Sequence, residues 1–479
     1  DVRQKAHKEA KLVADAEAVA AKISAVTAKV SVKVGEKSVT VTDGELSVET
    51  SYKNFLTGNG TKNSVAGGSE NQIINAMFAD AVPPVPQVVE IKDAAEFSAF
   101  LADAAKTGDS GCTAKLTADI DLAGITLPVP SSTASFAATF DGQGHSIKNW
   151  TNNGEYLFGQ LSGTVKNLVI DKSCVITLKA NGNPAMLVST NLGLIDGVIN
   201  NADITMSDET SDTRHTGGLV AINRTTVQNC VNNGKTTITA PKNAAKQIRY
   251  GSIVGSNAES SSVPVVKNCV NNGDIEIIQK AEANTGAKYI GGVIGAQDSN
   301  NESVVDGCVN KGKVSFTAEV EGSKAVYLGG IIGLLKGGNV KNCSNTGEIA
   351  NIAAGENITA GGLVGNCIAD GKKVDPVVSL TEGCAVNCKV SGPAEGSGLV
   401  LGSKSKTKGC QLGSEASPVK VAGSVNGVEA NADNAAALAV GTSFVPDEIN
   451  WIKVVFNGTA PATDPDIPGV GYNDPGLTL

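Results

Sequence analysis

The sequence predicts an all-β chain whose greater part is a solenoid of stacked coils, a parallel β-helix. Three observations predict it. First, one phrase recurs: "QNCVNNGKTTI" from Gln228, "KNCVNNGDIEI" from Lys267, "DGCVNKGKVSF" from Asp306 and "KNCSNTGEIAN" from Lys341. Second, an apolar run behind glycines precedes each copy: "GGLVA" at Gly217, "GSIVG" at Gly251, "GGVIG" at Gly291, "GGIIG" at Gly329 and "GGLVG" at Gly361, with a worn copy, "GSGLVLG", at Gly396. Third, 55 glycines accompany only 4% aromatics, 3 Met and 2 Trp, which leaves short Val/Ile/Leu strands between Gly and Asn turns as the building material. A phrase repeated along a chain describes an architecture in which equivalent residues stack. Each unit reads as a strand after glycines, a variable loop, a strand ending in Asn-Cys, an Asn/Gly turn and a third strand. That is one turn of a three-faced coil, each strand pairing with its equivalent in the next coil.

The remaining elements follow in chain order. Residues 1–30 are rich in Ala, Lys and Glu, with Leu12, Ala16, Val19, Ile23 and Val26 at helical spacing, and predict a helix. From residue 31 the period changes to two, with turn signals at Gly35 and Asp43-Gly44, so residues 31–87 read as a small β region closed by a stiff linker around Pro83 to Pro86. Residues 88–135 read as a cap: Asp93 caps a helix with Phe97, Phe100 and Leu101 on its apolar face, and the strand "AKLTADIDL" follows. A stack of coils needs such a cap, since its first coil otherwise exposes an apolar end and strand edges. Residues 136–430 are the repeats, and 431–479 a closing strand near Ile449 and a Pro/Gly/Asp-rich tail.

These residues resemble a known family. The units "GGLVAINRTTVQNCVNNGKTTI" and "GGIIGLLKGGNVKNCSNTGEIA" are similar to the GLUG-type repeats of bacterial surface proteins. The lead-in "LTADIDLAG", "FDGQGHSIKNW" and "YLFGQLSGTVKNLVI" resembles the segment that opens right-handed parallel β-helices in surface lipoproteins of Bacteroides-like bacteria. The resemblance covers residues 88–414, about two thirds of the chain, and implies a right-handed coil on an adhesin-like surface protein.

The candidate chemistry divides into columns and isolated groups. Cys230, Cys269, Cys308 and Cys343, with Cys384 and Cys410 after them, fall at corresponding places and should stack. Stacked strands lie about 4.8 Å apart, but their Cβ vectors run parallel, which disfavours disulfides and predicts free, buried thiols. Only Cys384 and Cys388 approach zinc-ligand spacing, so no metal or cofactor is expected. Asn232, Asn271, Asn310 and Asn345 precede a glycine and predict a column of amides bonding from coil to coil. Asn also tolerates the left-handed backbone that such turns demand. Tyr289 and Tyr327 occupy equivalent places before the glycine pair and read either as a short sugar-stacking track or as two rings packed under a loop.

Many β-helices cleave polysaccharides, and Asp119, Asp121 and Asp141 are the carboxylates to weigh for that role, with His145 nearby. The first two lie in the expected cap strand, and a turn explains Asp141 before Gly142, so a non-catalytic protein is expected. A net charge of −9 without a basic stripe gives nucleic acid nothing to bind. No apolar stretch is long enough to span a membrane. A first residue of Asp rather than Met is what a removed targeting segment would leave, and predicts export. The expectation is a structural or adhesive protein on the outer membrane of a Gram-negative bacterium, held by an N-terminal lipid anchor. Its partners would be glycans, host surfaces or copies of itself, as in a surface layer. The alternatives are an accessory lipoprotein that binds a nutrient glycan or peptide beside an outer-membrane transporter and, third, a polysaccharide lyase or glycosidase.

Overall fold

The structure, a computed structural model of the 479-residue chain, describes most of residues 87–441 together with 13–14, 16–17, 20–21, 30–35, 38–43, 46–50, 64–65, 68–69 and 453–458. Within 87–441 the stretches 131–134, 179–181, 208–214, 241–246, 259–261, 280–285, 299–302, 319–324, 353–357, 369–378 and 405–409 lie outside the description. The chain divides into two compact units, residues 1–86 and 87–479.

In the first unit, Val30–Val34, Val39–Asp43 and Leu46–Thr50 form an antiparallel meander, with Val32 opposite Val41 and Val41 opposite Val48. The first turn forms where Gly35 signalled it, the Gly35 N–H donating to the Ser38 carbonyl at 2.8 Å. Of the helix expected over residues 1–30, the six described residues before Val30 are helical, and the rest lies outside the described residues, as does the Pro83 to Pro86 linker.

The second unit is a parallel β-helix. An eleven-stranded sheet runs from Gln87–Ile91 to Cys410–Leu412 and a nine-stranded one from Ser135–Phe136 to Leu401–Lys404. A six-stranded sheet runs from His215–Gly217 to Ser397–Gly398, and a bent sheet contributes two short strands per coil. Coil pairs with coil in parallel throughout the array: Val227 opposes Val266, Val266 opposes Val305 and Val305 opposes Val340. All four valines are fully buried, while the residues flanking them in each strand are half-buried or exposed, the alternation a one-sided sheet requires.

Each full coil carries five short strands, not the three the repeat predicts. In one coil these are Ile248–Gly251, Val254–Asn257, Val265–Lys267, Val270–Asn271 and Ile275–Gln279. The apolar run behind the glycines is a corner: Ile253, Val293 and Ile331 lie between strands, yet they stack through Ile253 N–H to Val293 O (3.1 Å) and Val293 N–H to Ile331 O (3.2 Å). A second corner precedes the cysteine. Asn229, Asn268 and Asn342 adopt left-handed φ of 55°, 51° and 52°, and Gly197, Gly307 and Gly383 do the same at equivalent places. The left-handed residue is therefore the Asn before Cys. The expected ladder residues Asn232, Asn271, Asn310 and Asn345 are strand residues.

At the N-terminal end, the cap Asp93 accepts from the Glu96 N–H (2.9 Å), while Glu96 accepts from the N–H of Lys92, the residue before the cap (3.0 Å). The helix Ala94–Ala102 turns Phe97 and Phe100 onto Phe136, Phe140 and Phe158, with ring centroids 5.0–6.4 Å apart. Half of the chain's 10 phenylalanines thus gather where a flat coil end has to be covered. At the other end Val419–Val425 pairs with Ala385–Ser391 on one side and with the expected closing strand, Val454–Phe456, on the other.

Candidate functional site

The recurring asparagines form a buried ladder. Nδ2 of Asn200 donates to Oδ1 of Asn232 (2.8 Å), Asn232 to Asn271 (2.9 Å), Asn271 to Asn310 (2.7 Å) and Asn310 to Asn345 (2.7 Å). The second amide hydrogen goes to the carbonyl two residues on: Gly234 at 2.9 Å, Gly273 at 2.8 Å, Gly312 at 2.9 Å and Gly347 at 3.0 Å. All five side chains have no exposed surface, so the bonds among them replace water completely. The glycine of the same phrase is obligatory for a steric reason: a Cβ on Gly312 would sit 2.0 Å from the Gly273 carbonyl oxygen. The glycine pair serves the same ladder from across the core, since a Cβ on Gly292 would lie 2.5 Å from Asn310 Cγ and one on Gly330 2.4 Å from Asn345 Cγ.

A second ladder was not anticipated. Asn191 donates to Asn223 (2.8 Å), Asn223 to Asn257 (2.8 Å) and Asn257 to Gln297 (3.0 Å), all fully buried. A signal existed, because Asn223, Asn257 and Gln297 each follow the first glycine of their unit by six residues. It was hidden because an Asn before a polar loop also reads as the start of a turn.

Backbone register stacks Cys230, Cys269, Cys308, Cys343 and Cys384 at the corner, all buried and free. Their Sγ atoms reach the carbonyl two residues back, as in Cys230 to Gln228 (3.1 Å) and Cys343 to Lys341 (3.1 Å). Burial pushes the Cys269 and Cys343 thiols well up, which keeps them protonated and unreactive. One expectation is corrected here: Cys410 does not continue the column, because it pairs with Ser379 in the eleven-stranded sheet. Cys367, outside the column, is disulfide-bonded.

The three carboxylates are held ionised. Burial would raise Asp119, but Lys148 Nζ at 2.7 Å and the Ser146 N–H at 2.9 Å outweigh it and bring the group to about 2. His145 Nδ1 lies 3.4 Å from the same carboxylate. Asp121 is lowered by Asn149 and the Ala123 N–H. Asp141 is pushed up by burial and pulled further down by the Gln143 N–H, Asn167 and Lys166. A general acid for glycoside cleavage needs its pKa raised, and all three shift the other way.

Tyr289 and Tyr327 stack on each other, with ring centroids 5.2 Å apart and 10° between planes. Arg249 covers the Tyr289 ring at 5.9 Å and bonds Asp298 through Nη2 (3.2 Å). Tyr289 is only 4% exposed and packs on Ala296 and Leu334. One face of each ring is taken up by the other ring, and Tyr327 stays half-buried.

Two features lie outside the repeated pattern. Lys288 is fully buried in a column otherwise filled by Ile248 and Val326, its Nζ 5.8 Å from the Phe316 ring, and desolvation lowers it to about 8. A cleft of about 300 Å³ between the cap and the first coil is lined by Leu101, Pro128, Val129, Phe136 and Phe158 among others, with no acid, base or thiol in its wall. Among the described residues, no three His, Cys, Asp or Glu side chains converge as a metal site requires.

Residues 324–350 match the model of the GLUG motif. This GLUG motif contains the glycine pair Gly329-Gly330, the left-handed corner Asn342, the buried thiol Cys343, the ladder amide Asn345 and the close-packed Gly347, so its recurring letters are the residues that hold one coil on the next. No curated protein matches the chain. Among solved structures, it is similar to the "putative immunoglobulin A1 protease" of Bacteroides ovatus, with 18% identity and a TM-score of 0.39 over 73% of this chain and 86% of that one. That likeness transfers no activity to this chain.

Proposed function

We propose that this chain is a non-catalytic structural or adhesive protein of the bacterial cell surface, whose second unit is a scaffold of stacked coils. One observation carries the reading: the recurring polar residues bond to each other inside the coil. The Asn ladders are sealed at 0% exposure and each amide is satisfied by its neighbours, so the repeat encodes stacking and leaves contact with partners to the outer faces and loops. The GLUG motif supports the surface setting through the resemblance of these units to repeats of bacterial surface proteins. The test is protease and antibody accessibility on intact cells of the source bacterium, with membrane fractionation alongside. Labelling of intact cells and recovery with the outer membrane is expected. Protein reached only after lysis, in the soluble fraction, would overturn the reading.

A further inference from the structure

The outer edge of the eleven-stranded sheet carries one column of charges, one per coil. Gln228 sits at its middle, paired in register with Asp196 on one side and Lys267 on the other. Beyond Asp196 the column continues through Lys166, Asp141 and Lys115 to Glu90 in the end strand. Beyond Lys267 it continues through Asp306, Lys341 and Glu382. The signs alternate on each side, and the neutral Gln228 inverts the phase. Any two positions up to four coils from Gln228 therefore carry opposite charges: Asp196 with Lys267, Lys166 with Asp306, Asp141 with Lys341, Lys115 with Glu382; only the end strand with Glu90 has no charged counterpart.

We propose that this face docks on the same face of a second copy of the chain, about a two-fold axis through Gln228 that sets the two solenoids antiparallel. The proposal deepens the structural reading above and rests on it for its setting. A two-fold axis brings each position opposite the one equally far on the other side of the axis. With equal coil spacing in both copies, each of the eight charges within four coils of the axis then meets its opposite and Gln228 meets itself. The pattern rejects half-coil slips, whereas a whole-coil shift of the axis onto Asp196 or Lys267 is opposed only by the like pair formed at the axis itself. Moving the axis half a coil towards Asp196 sets Lys166 against Lys267 and Asp141 against Asp306, and half a coil the other way sets Asp196 against Asp306 and Lys166 against Lys341. Both slips oppose like charges along the face, which is how a charge pattern rejects a wrong alignment.

Within the chain these charges are only partly engaged. Lys166 and Asp141 form an ion pair at 3.3 Å, and Gln228 donates to Asp196 at 2.9 Å. Lys115, Lys267 and Lys341 make no ion pair among the described residues, although each has a carboxylate on a neighbouring coil. Asp141 is closed in by its own coil neighbours and contributes least. Eleven strands at about 4.8 Å and three residues of width give a face of about 480 Å² per copy. That sits just below the usual range of specific interfaces and fits a weak, reversible, salt-sensitive dimer.

The experiment is sedimentation of the full chain over a concentration series at low and high salt. A reversible dimer that weakens with salt is expected. Lys267→Asp and Asp196→Lys should each weaken it at least about tenfold, and the two together should restore it. Inside one chain these residues are two coils apart, about 9.6 Å, so restoration reads a contact between copies. Lys166→Asp with Asp306→Lys repeats the test independently should either first variant fail to fold, as circular dichroism would show. A monomer at every concentration in low salt, or a dimer indifferent to these changes, overturns the proposal. Surface labelling of intact cells with a monomeric chain would overturn the docking alone, whereas a charge-dependent dimer of a protein inaccessible on cells would overturn the surface reading alone.

Discussion

Asn271 shows how little freedom a ladder residue has. Its Nδ2 serves Asn310 and Gly273, and its Oδ1 accepts from Asn232. Asn271→Ala leaves groups on both neighbouring coils without partners in a dry interior, at about 1–3 kcal/mol for each orphaned group. Asn310→Ala should cost a similar amount, and because the two share one bond, the double variant should lose less than the sum. Denaturant titration of both singles and the double checks this; additive, negligible losses would place these amides in solvent. Lys288 makes the opposite prediction. Its value in the folded chain, about 8, lies below its ordinary 10.5, so between these pH values the unfolded chain binds more protons and stability rises with pH. At neutral pH the buried ammonium, which has no hydrogen-bond partner among the described residues and the Phe316 ring beside it, is a net cost. Lys288→Met should stabilise the protein by about 1–3 kcal/mol at pH 7 and remove the rise between pH 8 and 10.5, measured by denaturation at both ends of that window.

At the scale of the element, the corners decide where a strand stops. Asn268 holds φ of 51° before Cys269, and its Nδ2 reaches Asn229 Oδ1 at 3.3 Å. Asn268→Ala should cost about 1–2 kcal/mol for the left-handed backbone, and Asn268→Gly should recover most of it, as Gly307 and Gly383 occupy the same corner naturally. Comparing the two denaturation midpoints separates backbone strain from the lost amide bond. The glycine pair is less forgiving. A methyl group on Gly292 would lie 2.0 Å from the Gly330 carbonyl oxygen, which belongs to the backbone of the next coil and has no rotamer to yield. Gly292→Ala should therefore destabilise by more than about 3 kcal/mol, seen as a lowered Tm and loss of cooperativity.

For the whole molecule, eight of the 10 cysteines are free and buried, and Cys367 is bonded. Thiol titration of the native chain should find almost none reactive, and titration of denatured, unreduced chain should find eight; values near zero in both would mean a disulfide framework. The sequence alone determined the coil, its period and the residue types that face inward. These follow from local repetition: Asn271 and Asn310 sit in identical phrases, and identical phrases in a solenoid stack. Only the tertiary structure decided what depends on the spacing between coils. It split each apolar run at its glycine pair, gave the left-handed corner to Asn268 and not to Asn271, and aligned Asn223 with Asn257 and Gln297 in a ladder whose residues also read as turn starts. It also stacked the Tyr289 and Tyr327 rings on each other and drew the charges of the eleven-stranded sheet into a single column. A repeat fixes which residues recur, but a side chain's partner is chosen by register across about 4.8 Å between coils, and register is settled only when every coil has closed on the next.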